Sequence, residues 1–232
     1  PDLTISAQVI GTGGIIKAEG GMMSLQNSNT FSGAVTVNDG ALRGTDNFSF
    51  GTTAGGVTVN GAAGLQLSSA HIGDEALTLN TSNTLGFQPL AGSNSWAGTV
   101  TVQGTAYLSP NLAGDSCTLL GKITGPGAVI KSAAGTLYFS GSLANDYAGV
   151  TTVNSGTLVL NKTVANGAMT NNLIIGDGVG GANADVVRTE VTSQLPNTVA
   201  VTLNSSGQLI LNVDEAFGSL AGSGNVVVNT SA

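Results

Sequence analysis

Two stretches about half the chain apart spell the same unit: MMSLQNSNTFSGAVTVNDGAL at residues 22–42 and TLYFSGSLANDYAGVTTVNSGTLVL at residues 136–160. Each alternates apolar with small polar residues, breaks at Asn-x-Gly and alternates again, the pattern of strand, tight turn, strand. Repeated strand units bury their apolar faces against one another, which points to a solenoid, and solenoids usually scaffold or bind.

A longer period contains this unit. GTGGIIK at 11–17, GPGAVIK at 125–131 and GSGNVVV at 222–228 occupy equivalent places, so the chain holds two long units and the opening of a third. A finer period joins the apolar centres Val35, Val57, Leu77, Val100, Ile123, Val153, Ile175, Val201 and Val226, at steps of 20 to 30 residues. Such steps suit one coil of an all-β, right-handed, single-stranded parallel β-helix with two or three short strands per coil. The expectation is one continuous solenoid over residues 1–232 with roughly ten coils. The widest step, Ile123 to Val153, is expected to hold a bulge or longer corner around Ser142–Asp146. Val, Ile, Leu and Thr dominate, with glycine every few residues, which leaves no room for a helix of three turns.

Several strands end on an amide: Asn38, Asn60, Asn80, Gln103, Asn154, Asn204 and Asn229. Stacked coils could join these side chains in a hydrogen-bonded ladder. Alternatively, Asn is there because it tolerates the left-handed corner before glycine. Phe31, Trp96 and Tyr147 recur in NTFSG, NSWAG and NDYAG. Stacked aromatic rings could bind flat sugar faces, or they could cover a corner or plug the core.

Charge excludes several function classes. Six Lys and Arg against 13 Asp and Glu give a net charge of −7. No basic stripe is available for nucleic acid or for anionic lipid. No apolar run approaches a membrane span, so membrane insertion by this segment is not expected. A single cysteine, Cys117, rules out an internal disulfide and a cysteine-based zinc site. This composition fits a bacterial extracellular or cell-surface chain, and a start at Pro1 suggests a processed chain or an excerpt.

Catalytic chemistry finds little support. β-Helices that cleave polysaccharides need paired carboxylates or an acid cluster holding calcium. Only Asp74–Glu75 and Asp214–Glu215 are adjacent, and neighbours in a strand point to opposite faces. His71 lies three and four residues before Asp74 and Glu75, a spacing that converges on a helix but not at a β corner. Cys117 reads as a small buried apolar residue. Asp177, Asn183 and Asp185 lie among glycines in IGDGVGGANADVV and are weak calcium candidates, although successive calcium turns would have to repeat and this one does not. No catalytic residue, cofactor or firm metal site is expected.

The combined pattern GxGxxxK followed by GTLxLSGxNxYxGxTTVNxGTLxL resembles the autotransporter-associated β-strand repeat of large bacterial surface proteins. Residues 11–42 and, more faithfully, 125–160 carry it, with Met22–Met23 standing where Thr-Leu is expected. The resemblance implies a β-solenoid displayed outside the cell as a passenger, stalk or adhesive fibre, with no catalysis. No translocator barrel is recognisable in the sequence. The C-terminal VVVNTSA and the N-terminal PDLTISAQVIGTGG would, if joined, read as one more strand and corner. Expected partners are therefore covalent neighbouring repeats or an end-to-end second copy, and the alternative is an adhesin or glycan-binding module that takes an extracellular glycan on the solenoid corners.

Overall fold

The computed structural model describes residues 2–229, so Pro1 and residues 230–232 of the proposed end-to-end continuation lie outside the described residues. Within them the chain winds into a parallel β-solenoid of about ten coils, and no helix occurs among the described residues. Three sheets form its faces. Face A has 11 strands, from Leu3–Ile5 to Ser219–Gly222. Face B has six, from Ile15–Lys17 to Ile123–Thr124, and face C has eight, from His71–Ile72 to Asn225–Val228.

The chain visits the faces in a fixed order. Phe87–Ala91 lies on face A, Ser93–Trp96 on C and Val100–Val102 on B, after which Thr105–Leu108 returns to A. Before His71 the face C position is taken by irregular segments such as 26–34 and 45–56. After Thr124 the same happens on face B, where segments 142–150 and 163–172 replace the strand.

Alternation decides what each strand buries. Val35 and Val37 point inward and Thr36 outward, as one-residue alternation requires. The inward residues stack through parallel register: Val35 on Val57, Val57 on Leu77, Leu77 on Val100 and Val100 on Ile123. Each such side chain, removed from water, contributes about 1.5–3 kcal/mol relative to exposure.

This register corrects the single row of nine apolar centres. The row from Val35 to Ile123 lies on face B, but Val153 and Ile175 lie on face A. Ile175 then stacks on Leu203, while Val201 pairs with Leu173 and Val226 lies on face C, where it is exposed. The 30-residue step from Ile123 to Val153 is therefore a change of face as well as the longer corner expected around Ser142–Asp146.

The long units obey the same geometry. Ile15–Lys17, which opens the first, lies on face B; Ala128–Lys131, which opens the second, lies on A; Asn225–Val228 of the third lies on C. Five coils on face B separate Ile15–Lys17 from Ile123–Thr124, and the chain then advances one more face to reach Ala128–Lys131. Each unit is thus turned a third of a coil from the one before it.

Candidate functional site

The recurring aromatic motif builds the corner that defines the unit, and its full form is Asn-x-aromatic-x-Gly: Asn29 to Gly33, Asn94 to Gly98, Asn145 to Gly149. Phe31, Trp96 and Tyr147 are all buried in the core. The Trp96 indole N–H donates to the Glu75 carbonyl at 2.6 Å, and its ring packs edge-on to Phe87 with centroids 5.9 Å apart. A sugar-binding stack of these three rings is excluded by their burial. Glycine follows because a Cβ at Gly33, Gly98 or Gly149 would overlap the backbone of the preceding coil.

The asparagine two residues before each aromatic joins three coils. Asn29 Oδ1 accepts the Val9 N–H at 2.8 Å from the coil before, and its Nδ2 donates to the Ser49 carbonyl at 2.7 Å in the coil after. Asn145 repeats this with the Ile123 N–H and the Ala168 carbonyl, each at 2.8 Å. Asn94 takes the Ala70 N–H at 3.1 Å and reaches the Ser116 carbonyl at 3.3 Å. All three side chains are buried, so each amide satisfies backbone groups that an irregular corner would otherwise leave unpaired. The recurrence of Asn at this offset was available in the sequence, but attention to the aromatic passed over it.

The lysine that closes GxGxxxK has an equally specific place. Lys131 is fully buried, and its Nζ donates to the carbonyls of Ala133 and Ser155 at 2.7 Å and of Ser132 at 3.2 Å. Lys17 makes the equivalent bonds to the carbonyls of Glu19 and Asp39, the latter at 3.1 Å. Asp39 and Ser155 are the middle residues of the two Asn-x-Gly corners, so each lysine fastens the corner of the next coil. Lys162 is buried as well and donates to the Gly121 carbonyl at 2.8 Å.

The amides at strand ends divide by face. On face B, Asn60 Nδ2 donates to Asn38 Oδ1 at 2.9 Å and Asn80 Nδ2 to Asn60 Oδ1 at 3.3 Å, a three-rung ladder. Gln103 offers only its backbone N–H, to the Leu79 carbonyl. Asn154 and Asn204 lie on face A, separated by Gly176, whose carbonyl accepts Asn204 Nδ2 at 2.6 Å. Asn229, on face C, donates to Asn212 Oδ1 at 2.8 Å. The seven amides therefore do not form one stack, because the units that carry them lie on different faces.

The titratable candidates are dispersed. His71 is exposed on the edge strand of face C, 3.1 Å from Ser95 Oγ. Asp74 is exposed, whereas Glu75 is buried with one carboxyl oxygen unpartnered, and burial pushes its pKa up to about 7. Glu215 accepts the backbone N–H groups of Gln194 and Leu195, and burial raises its pKa nonetheless. Burial likewise pushes the Cys117 thiol up and pulls Lys131 down to about 7, against the opposing pull of Asp185, and Lys162 down to about 8. Asp177 accepts the Val179 N–H, Asn183 Oδ1 accepts from Asn225 Nδ2, and Asp185 is buried. Among the described residues no three His, Cys, Asp or Glu side chains gather to hold a metal.

Fold and corners together define a repeat-built parallel β-solenoid in which the recurring residues hold coil to coil. The family model of the passenger-associated-transport repeat matches residues 15–43 and 129–160, which hold the Asn29 and Asn145 copies of this corner. The adhesin BmaC autotransporter of Brucella suis biovar 1 (strain 1330) is 33% identical over 183 residues, 79% of this chain and 5% of that protein. The chain carries two copies of the passenger-associated-transport repeat, is similar to an autotransporter passenger protein, and spans about a twentieth of the length of this curated relative. No solved structure matches it.

Proposed function

We propose that this segment is a rigid, non-catalytic spacer in a bacterial protein displayed on the cell surface or released from it. The observation that carries the reading is face A, which runs unbroken through every coil from Leu3–Ile5 to Ser219–Gly222 over a continuous apolar core. A rod with one sheet paired along its whole length transmits position along its axis, and the pairing of that sheet is narrowest at Phe87–Leu108. The Brucella relative is named an adhesin, which supports a role in adhesion for a protein built this way.

Axial neighbours complete the proposal, either covalent coils or a second copy stacked end to end. Leu3, Ile10 and Ile16 are exposed at one end and Leu220, Val226 and Val228 at the other, and further coils would cover both groups. The dispersal of acids and of His71 supports the absence of turnover.

Electron microscopy of chains with one, two and three tandem copies tests the reading. Straight rods that lengthen by about 50 Å per copy are expected, from ten coils at the strand spacing. Beads joined by bends would refute a spacer, and release of reducing or unsaturated sugar from plant or bacterial polysaccharide would refute the non-catalytic part.

A further inference from the structure

We propose that Phe48 forms the floor of a binding site for a neutral saccharide on the outer surface of the first unit. Among the described residues Phe48 is the only aromatic side chain that is exposed, at 61%. It borders an open concavity of about 440 Å3 formed with Ser28, Asn29, Thr30, Thr52 and Thr53. That volume falls within the size of ordinary small-ligand sites.

The second unit shows that the fold does not need this ring. The Asn29 N–H donates to the Phe48 carbonyl at 3.1 Å, and in the second unit the Asn145 N–H donates to the Gly167 carbonyl at 2.9 Å. The following residues, Ser49 and Ala168, accept the Asn29 and Asn145 side-chain amides in the same way. Position 48 therefore serves the corner through its carbonyl alone, and glycine suffices there. Phe50, two residues on, supplies the buried aromatic of the same loop.

The loop also fixes the backbone that carries the ring before any ligand arrives. Asp46 Oδ1 accepts the Phe48 N–H at 2.9 Å, and Ser49 Oγ accepts the Asp46 N–H at 2.9 Å while donating to the Leu25 carbonyl at 3.1 Å. A preorganised loop lowers the entropic cost of binding.

The chemistry of the concavity selects its occupant. A pyranose offers one apolar C–H face to an aromatic ring and a rim of hydroxyls to polar neighbours, and here Thr30, Thr52 and Thr53 are exposed around Phe48. No charged side chain lines the concavity, so a cation finds no ligand. An anionic sugar finds no cationic partner in the lining and meets a chain of net charge −7. An apolar peptide side chain would leave the threonine hydroxyls desolvated without partners.

The site goes beyond the spacer reading and fails separately from it, because removing the ring leaves coil stacking intact. The test is a 15N NMR titration of the chain with cellotriose, maltotriose and mannotriose, with sialyllactose as the anionic arm. At least one neutral trisaccharide is expected to give saturable shifts at Thr30, Phe48 and Thr52, with weaker binding of sialyllactose. Phe48→Gly, the residue of the second unit, should weaken binding about tenfold or more with an unchanged urea midpoint, and Phe48→Trp should retain it. The proposal is overturned by no saturable shift with any of the three sugars, by equal binding of Phe48→Gly, or by tighter binding of sialyllactose. A large drop in the urea midpoint of Phe48→Gly would also overturn it, because the ring would then be structural.

Discussion

Single asparagines fasten three coils at once. Replacing Asn145 by Ala would leave the Ile123 N–H and the Ala168 carbonyl buried and unpaired. The expected loss is about 2–4 kcal/mol, read from the shift in the urea unfolding midpoint at constant slope. Buried titratable groups give the same scale a second prediction. Glu75 ionises near 4.5 when unfolded and near 7 when folded, so the unfolded state loses its proton first and stability falls as pH rises between these values. Lys131 and Lys162 reverse the sign: folding lowers them from 10.5 to about 7 and 8, so the unfolded state holds more protons and stability rises from neutral pH to about 9, above which the raised Cys117 thiol opposes the rise. A urea midpoint with a minimum near pH 7 is expected, and the alkaline rise should shrink in Lys131→Met. A flat profile would show that neither group is desolvated as described.

At the scale of strands and corners, inside and outside are set by alternation. Val153 is fully buried on face A while Thr152, its neighbour, points outward. Val153→Asp places an unpaired carboxylate between coils and is expected to cost about 3–5 kcal/mol, whereas Thr152→Asp should change stability by less than about 1 kcal/mol. Similar melting of the two variants by circular dichroism would mean that the strand faces are misassigned. This alternation was plain in the sequence, and so was the coil length, because both follow from local apolar spacing. The corner bonds were not. Lys131 ends GPGAVIK with nothing in the sequence to mark its partners, and the register that pairs it with Val153 brings the Ser155 carbonyl to its Nζ beside those of Ser132 and Ala133. Phe48 lay in a loop with no second copy to flag it, and its counterpart Gly167 becomes evident only through shared hydrogen bonds.

Over the whole molecule, the repeat and the coil are incommensurate. A unit fills a whole number of coils and one face more, so its opening strand moves from face B to A to C along the rod. Sequence alignment recovers the units but not their rotation, since residue spacing alone does not say on which face a strand lands. Equivalent strands of the three units therefore lie on three different faces around the axis. Residues 2–229 are expected to form one straight, continuous rod. Spin labels at Thr4→Cys and Ala221→Cys, on the first and last strands of face A, measure it directly by dipolar spectroscopy, and the buried Cys117 should stay unlabelled. Ten strand steps predict a narrow distance distribution near 50 Å, from about 4.8 Å per step. A broad distribution, or one centred below about 30 Å on the same spacing, would contradict a single rod.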